Sequence, residues 1–284
     1  MNPSIAPAES SFLLWSLGIV IYALAAHTGL AAVRLGRRMD DLRSRAALAV
    51  TAGMAWGTAL SIGFVLGLAG MALAFGVGFH AGFGIAVWLG GALAASVLAA
   101  VLITWPGKLV HVGAGVLLGA LAVGVQTGWL WAAGLRPGLK WVPEVLALAG
   151  VVMALGLAIA ISSAFSEPAN SSRLRWRWRL AAAGLVALAW LAGQEMMLAG
   201  LSVSNQTGSV YQQQLPAALL ALVGGALVPI VLLVLALDLR YRRRQRRRRH
   251  RDQASGMSST SLQELDSIPS STHNRRRKVR IRGL

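Results

Sequence analysis

Long apolar runs separated by short polar connections dominate the hydrophobic pattern of this chain. Residues 46–107 contain no Asp, Glu, Lys or Arg, and a stretch of this length crosses a hydrocarbon core of ~30 Å twice. The runs lack period-two alternation, so they predict helices rather than strands. We expect an all-α, polytopic membrane bundle of seven transmembrane helices, at 12–33, 47–75, 82–104, 109–133, 143–165, 180–201 and 215–238.

Composition supports a membrane protein. The chain is 56% hydrophobic and only 13% charged, a combination that soluble domains rarely reach. Cysteine is absent from the sequence, which excludes disulfides, thiolate metal sites and catalytic thiols. The opening segment "MNPSIAPAES" carries no basic residue, so it does not resemble a cleaved signal peptide, and the first span is expected to be retained.

The basic residues predict the orientation in the membrane. Of the 27 Lys and Arg residues, 25 fall in the connections after the first, third and fifth spans or in the C-terminal tail. Because basic segments stay in the cytoplasm, we expect the N-terminus outside and the C-terminus inside. The predicted organisation is an extracytoplasmic segment at 1–11, a membrane domain at 12–239 and a basic, Ser-rich, disordered cytoplasmic tail at 240–284.

Three even-numbered spans contain an internal repeat. Segments 57–71, 115–129 and 183–197 align without gaps, and each runs from the cytoplasm outward in the predicted topology. One column of this alignment contains Leu68, Gln126 and Gln194. The next column contains Ala69, Thr127 and Glu195. Polar residues therefore recur at one level near the outer ends of the helices.

With this repeat, residues 12–240 resemble the MHYT domain of bacterial membrane sensors. That family has three helix-pair repeats bearing Met-His-Tyr-Thr-Gly-Met near the outer face, and "SLGIVIYALAAHTGLAAVRLGRR" (16–38) resembles its opening helix. The resemblance implies location in the bacterial inner membrane and a copper centre that senses oxygen, carbon monoxide or nitric oxide. The three motif histidines are replaced here by Gly67, Val125 and Gly193, so the implied copper chemistry loses its main ligands.

Glu195 is the most informative candidate site residue. A carboxylate at membrane depth is costly, so it usually faces the interior, pairs or remains protonated. It either faces Gln126 and Thr127 of the neighbouring repeat as a ligand or hydrogen-bond centre, or extends outward to the headgroups. Methionine thioethers are soft ligands that suit Cu(I), but methionine is also an ordinary core residue. The candidate ligands are Glu195, Gln194, His80, Met71, Met196 and Met197.

Three further histidines are candidates for metal binding or proton relay. His27 lies within the first span and His111 near the start of the fourth, where hydrogen bonding to a neighbouring helix is the commoner role. His80 lies in the turn "GVGFHAGFG" between the second and third spans, and we expect it to be solvated.

The tail segment "RYRRRQRRRRHR" (240–251) holds nine arginines in twelve residues. Such runs anchor a protein to anionic lipid, at about 1 kcal/mol per charge, and nucleic-acid binding is not expected from arginine density alone. The predicted lipid-binding residues are Arg242, Arg243, Arg244, Arg246, Arg247, Arg248 and Arg249. Residues 253–274 are rich in Ser and Thr, and we expect them to be disordered.

The sequence contains no nucleophile elbow, phosphate loop or zinc signature, so an enzyme is not expected. A sensory membrane module that signals through its tail or a cytoplasmic protein partner is the leading hypothesis. The first alternative is a structural or assembly protein whose repeats only pack. The second alternative is a small ion-coupled transporter. Polar groups of a transporter converge at the bilayer midplane, whereas the polar residues of this chain concentrate near the outer ends of the helices.

Overall fold

The computed structural model describes residues 12–71, 75–136, 140–166, 172–202 and 207–266. It confirms an all-α polytopic bundle: within these ranges seven helices are long and apolar enough to cross a membrane. The protein is therefore an integral, multi-pass membrane protein. The helices are α1 Phe12–Gly36, α2 Leu42–Gly70, α3 Ala81–Thr104, α4 Lys108–Ala132, α5 Pro143–Phe165, α6 Ser172–Ala199 and α7 Ala217–Asp266.

Three helix ends in the ring differ from the sequence prediction by five residues or more. Helix α2 begins at Leu42 rather than at 47. Helix α2 ends at Gly70 rather than at 75, because Met71 adopts an extended conformation and caps the last turn. Helix α6 begins at Ser172 instead of 180, so the arginine-rich connection after α5 is largely the first turns of α6. Arginine and tryptophan are compatible with a helix, and this segment contains no Gly or Pro to stop one.

The tail also differs from expectation. The chain divides into two compact units, Met1–Leu239 and Arg240–Leu284. In the second unit the described residues are helical to Asp266, whereas disorder was predicted for them. Arginine and glutamine are good helix formers, and no proline occurs between 240 and 266. The remainder of the predicted disordered tail, 267–284, and the N-terminal segment 1–11 lie outside the described residues.

The first six helices form a closed ring. Each helix packs against the next one in sequence, and α6 packs against α1. Helices α2, α4 and α6 also contact one another, so the three helices that carry the sequence repeat meet inside the ring. Helix α7 packs outside it, with Gly224 against Ile62 of α2 and Gly225 against Leu17 of α1.

Glycines allow neighbouring helices of the ring to approach closely, as their spacing of four predicts. A Cβ placed on Gly57 of α2 would lie 2.5 Å from the Cα atom of Ala92 in α3. On α4, a Cβ at Gly119 would lie 2.7 Å from the Cα atom of Ala154 in α5. Both obstacles are backbone atoms, so these crossings require glycine.

The connections at one end of the ring interlock; we call this the capped end. Short antiparallel pairs join the α4–α5 and α6–α7 connections: β1 (Leu135–Arg136) pairs with β4 (Gly208–Ser209), and β2 (Lys140–Trp141) pairs with β3 (Leu201–Ser202). The α2–α3 connection joins them, since Phe79 N–H donates to Leu215 O at 2.9 Å. Gly134 adopts φ +54° beneath the Tyr211 ring, a conformation and a contact that both exclude a Cβ.

The other end of the ring holds the connections after α1, α3 and α5; we call it the basic end. Basic residues cluster in and beside these connections: Arg37 and Arg38 lie in the first of them, and Lys108 and Arg173 lie in the first turns of α4 and α6. Side chains hold the helix ends here: Asp41 accepts from Ser44 N–H at 2.8 Å as the N-cap of α2, and Arg45 Nε donates to Met39 O at 2.7 Å.

Candidate functional site

The repeated polar column faces the interior of the ring in the half nearer the capped end. Leu68, Gln126 and Gln194 are all buried, with Gln126 completely so. The column one residue later lies off the core: Ala69 and Thr127 are half-buried and Glu195 is exposed. The repeat thus predicted a real structural equivalence, and its polar interior positions are the two glutamines.

Gln194 is held by a residue that the sequence analysis did not single out. The Tyr22 hydroxyl of α1 donates to Gln194 Oε1 across the α1–α6 interface, and both side chains are buried. Two glycines of α2 make the space, because a Cβ on Gly63 would strike the Tyr22 ring and one on Gly67 would strike the Gln194 amide. The sequence does contain a signal for this contact: Tyr22 lies within an apolar span, and a buried tyrosine hydroxyl needs a hydrogen-bond partner.

Gln126 differs from its repeat equivalent because neither of its amide atoms has a hydrogen-bond partner among the described residues. The indole Nε1 of Trp129, one turn further along α4, also lacks a partner. Trp129 is held edge-on by Phe79 of the capped end at 5.1 Å between ring centroids. Since buried polar groups are nearly always hydrogen-bonded, the Gln126 amide and the Trp129 indole, one turn apart on α4, are candidates for binding a further molecule.

Glu195 does not join this interior site. Its side chain is exposed on α6, four residues before the last residue of the helix. Exposure favours the second of the two alternatives, in which the carboxylate extends outward. Residues one apart on a helix point about 100° apart, and here Gln194 is buried while Glu195 is exposed.

The candidate thioethers lie in different environments. Met197 is buried in the core, whereas Met71 and Met196 are half-buried. Within the described ranges there is no group of three or more His, Cys, Asp or Glu side chains that could hold a metal. Gln194 is engaged by Tyr22 and Glu195 points outward, so the donor set implied by the family resemblance does not fit copper.

The three candidate histidines lie far apart. His80 is exposed at the capped end, where its Nδ1 accepts from Phe83 N–H at 3.1 Å as the N-cap of α3. His27 is half-buried in the middle of α1. His111 is buried at the basic end and contacts Arg37, which confirms the expected hydrogen bond to a neighbouring segment. They cannot share one ion.

Two arginines that the sequence analysis used only as topology signals cap helices at the basic end. Arg34 Nη2 donates to Ala164 O in the last turn of α5 at 3.0 Å. Arg37 Nε donates to Leu102 O in the last turn of α3 at 2.7 Å. A cation at a helix C-terminus satisfies free carbonyls and complements the helix dipole, so α1 joins the ends of two other helices.

The predicted lipid-binding arginines are only partly described. Arg242 is exposed. The side chains of the other six lie outside the description, namely Arg243, Arg244, Arg246, Arg247, Arg248 and Arg249. Their interaction with anionic lipid therefore stays a prediction.

No family model matches the chain, and neither a curated protein nor a solved structure matches it.

Proposed function

We propose that this protein is a divergent MHYT-like sensory module of the bacterial inner membrane that binds, at Gln126, a small uncharged ligand able both to donate and to accept a hydrogen bond. The observation that carries the proposal is the complete burial of Gln126 with both amide atoms unpartnered. Leaving such a group unsatisfied costs about 1–3 kcal/mol, so a molecule that donates to Oε1 and accepts from Nε2 would be stabilised there. The ligand binds without copper in this proposal.

The equivalence of the three even-numbered helices supports the MHYT-like assignment. Their shared column faces the interior, and the ring of six helices has the helix-pair arrangement that the resemblance implies. The alternative of a structural protein without a ligand predicts that Gln126 only fills space. These two functions differ in what the Gln126 amide contributes to stability.

Replacing Gln126 with leucine distinguishes them by the sign of the stability change. If the amide holds a ligand that stays bound during purification, Gln126→Leu lowers the free energy of unfolding by about 1 kcal/mol, because a satisfied hydrogen-bonding group is lost. If the amide is bare, leucine raises it, since an unsatisfied polar group is removed. The measurement is thermal unfolding of the full chain in native-like lipid nanodiscs.

Gln194→Leu provides the calibration, because its amide has a known partner in Tyr22. We expect both substitutions to destabilise by similar amounts. Formamide, a small neutral molecule that both donates and accepts hydrogen bonds, should raise the unfolding midpoint of the wild type and not that of Gln126→Leu. A more stable Gln126→Leu protein would favour the structural alternative, and copper retained by the purified protein would contradict metal-free binding.

The capped end faces outside in this proposal, and the basic end faces the cytoplasm, in accordance with the positive-inside rule. The signal would then leave through the basic end, to the tail, anionic lipid or a cytoplasmic protein partner. Arg34 and Arg37 support this route because they connect α1 to the ends of α5 and α3.

Cysteine labelling tests the orientation directly, since the natural chain has no cysteine. In intact cells, an impermeant maleimide should label Gln213→Cys in the exposed α6–α7 connection. It should label Asp40→Cys, in the exposed α1–α2 connection, only after permeabilisation. The reverse pattern would invert the proposed topology.

A further inference from the structure

His111 and Arg37 form a close contact between α4 and the segment that follows α1. His111 Nε2 lies 2.7 Å from Arg37 Nη2. A guanidinium nitrogen only donates hydrogen bonds, so Nε2 must accept and the imidazole must be neutral, with its proton on Nδ1. Burial lowers the pKa of the Arg37 guanidinium, yet an arginine remains charged at any physiological pH.

Both side chains are held in place by α3 and α5. The His111 ring stacks on the Phe165 ring at 4.8 Å between centroids and an interplanar angle of 28°. The Arg37 Cζ atom lies 3.9 Å from the centroid of the same ring, and Arg37 Nε is bound to Leu102 O. Neither group can therefore swing away without breaking contacts to other helices.

The charged groups around His111 are cationic in the described part of the chain. On the α1 side, His111 contacts Arg37. Arg34 lies further away, with its Cζ atom 5.9 Å from the centroid of the Phe165 ring. The helix of His111 contributes the exposed Lys108 one turn away. The last turns of α3 and α5, up to Thr104 and Phe165, contain no ionisable side chain.

We propose that His111 is a proton-binding site at the basic end, and that proton uptake releases Arg37 and loosens the junction of α1, α3, α4 and α5. Protonation converts Nε2 from an acceptor into a donor facing a second cation at hydrogen-bond distance. The bond to Arg37 is then lost and like charges repel. Because Arg37 also caps α3, its departure frees the Leu102 carbonyl. This inference is independent of ligand binding at Gln126.

The pH dependence of stability tests the proposal. The unfolded chain takes up a proton on His111 near pH ~6.5, whereas the folded chain resists it, so stability is complete above that pH and falls below it. Between about pH 8 and about pH 5, the unfolding midpoint of the full chain should fall by about 2–4 °C more than that of His111→Gln. Glutamine can accept from Arg37 at every pH.

His273→Gln is the matched control, because it removes a histidine from the tail, outside the membrane domain at 12–239. It should keep the wild-type pH profile. Nitrogen NMR of histidine-labelled wild type gives a second measurement that needs no variant at position 111. It should show an unprotonated Nε2 at high pH and proton uptake on acidification. Identical profiles for wild type and His111→Gln, or a protonated Nε2 at high pH, would overturn the proposal.

Discussion

Gly119→Val should destabilise the membrane domain severely, by on the order of 3 kcal/mol or more. A Cβ at this position would lie 2.7 Å from both the Cα and N atoms of Ala154. These are backbone atoms of α5, so relief requires the two helices to separate. The midpoint of thermal unfolding and the monodispersity of the protein in detergent would report the loss.

Gly124→Val is the control within the same helix. No heavy atom lies within 4 Å of a Cβ built on Gly124, and the residue is exposed. Both variants carry the same change in helix propensity, so their difference isolates the α4–α5 contact. Equal effects at the two positions would show that the crossing is looser than the structure has it.

Trp190→Ala should cause a loss of comparable size, at about 3–5 kcal/mol. Trp190 is fully buried on α6 and its ring lies 5.7 Å from that of Tyr22, measured between centroids. The cavity would loosen the contact that positions the Tyr22 hydroxyl against Gln194. Thermal unfolding in nanodiscs measures the destabilisation. Near-UV circular dichroism of the tyrosines should report the change around Tyr22.

Trp176→Ala provides the comparison on the same helix. Trp176 is 58% exposed, so its removal leaves no interior cavity, and we expect less than about 1 kcal/mol. A similar loss for both tryptophans would mean that helix propensity or lipid contact, rather than packing against Tyr22, governs the stability of α6.

The sequence repeat predicted how far along the helices the polar site residues lie, but not which of them face the interior of the ring. The repeat placed Gln126 and Gln194 at equivalent positions, and both lie in the ring interior. It could not decide between Gln194 and Glu195, because an apolar span in lipid has no polar face to indicate its orientation. The partner Tyr22 lies 172 residues from Gln194 in sequence, with no local pattern joining them.

The basic end illustrates the same limit. Both Arg34 and Arg37 were predicted to lie in the basic connection after the first span, but Arg34 lies in the last turn of α1. Their charge says nothing about which carbonyls they reach. Arg37 and His111 are 74 residues apart in sequence, and they meet because the ring brings α1, α3 and α4 together. Their roles as helix caps and as a hydrogen-bonded pair follow from that packing alone.

The sequence by itself determined the all-α class, the seven spans and the close glycine crossings, because these depend on apolar length and on small residues at helical spacing. Tertiary structure alone decided which residues face the interior. A step of one residue turns a side chain by about 100°, so the packing of the ring turned the Gln194 amide inward and the neighbouring Glu195 carboxylate outward. The same packing left Gln126 buried without a hydrogen-bond partner in the described part of the chain.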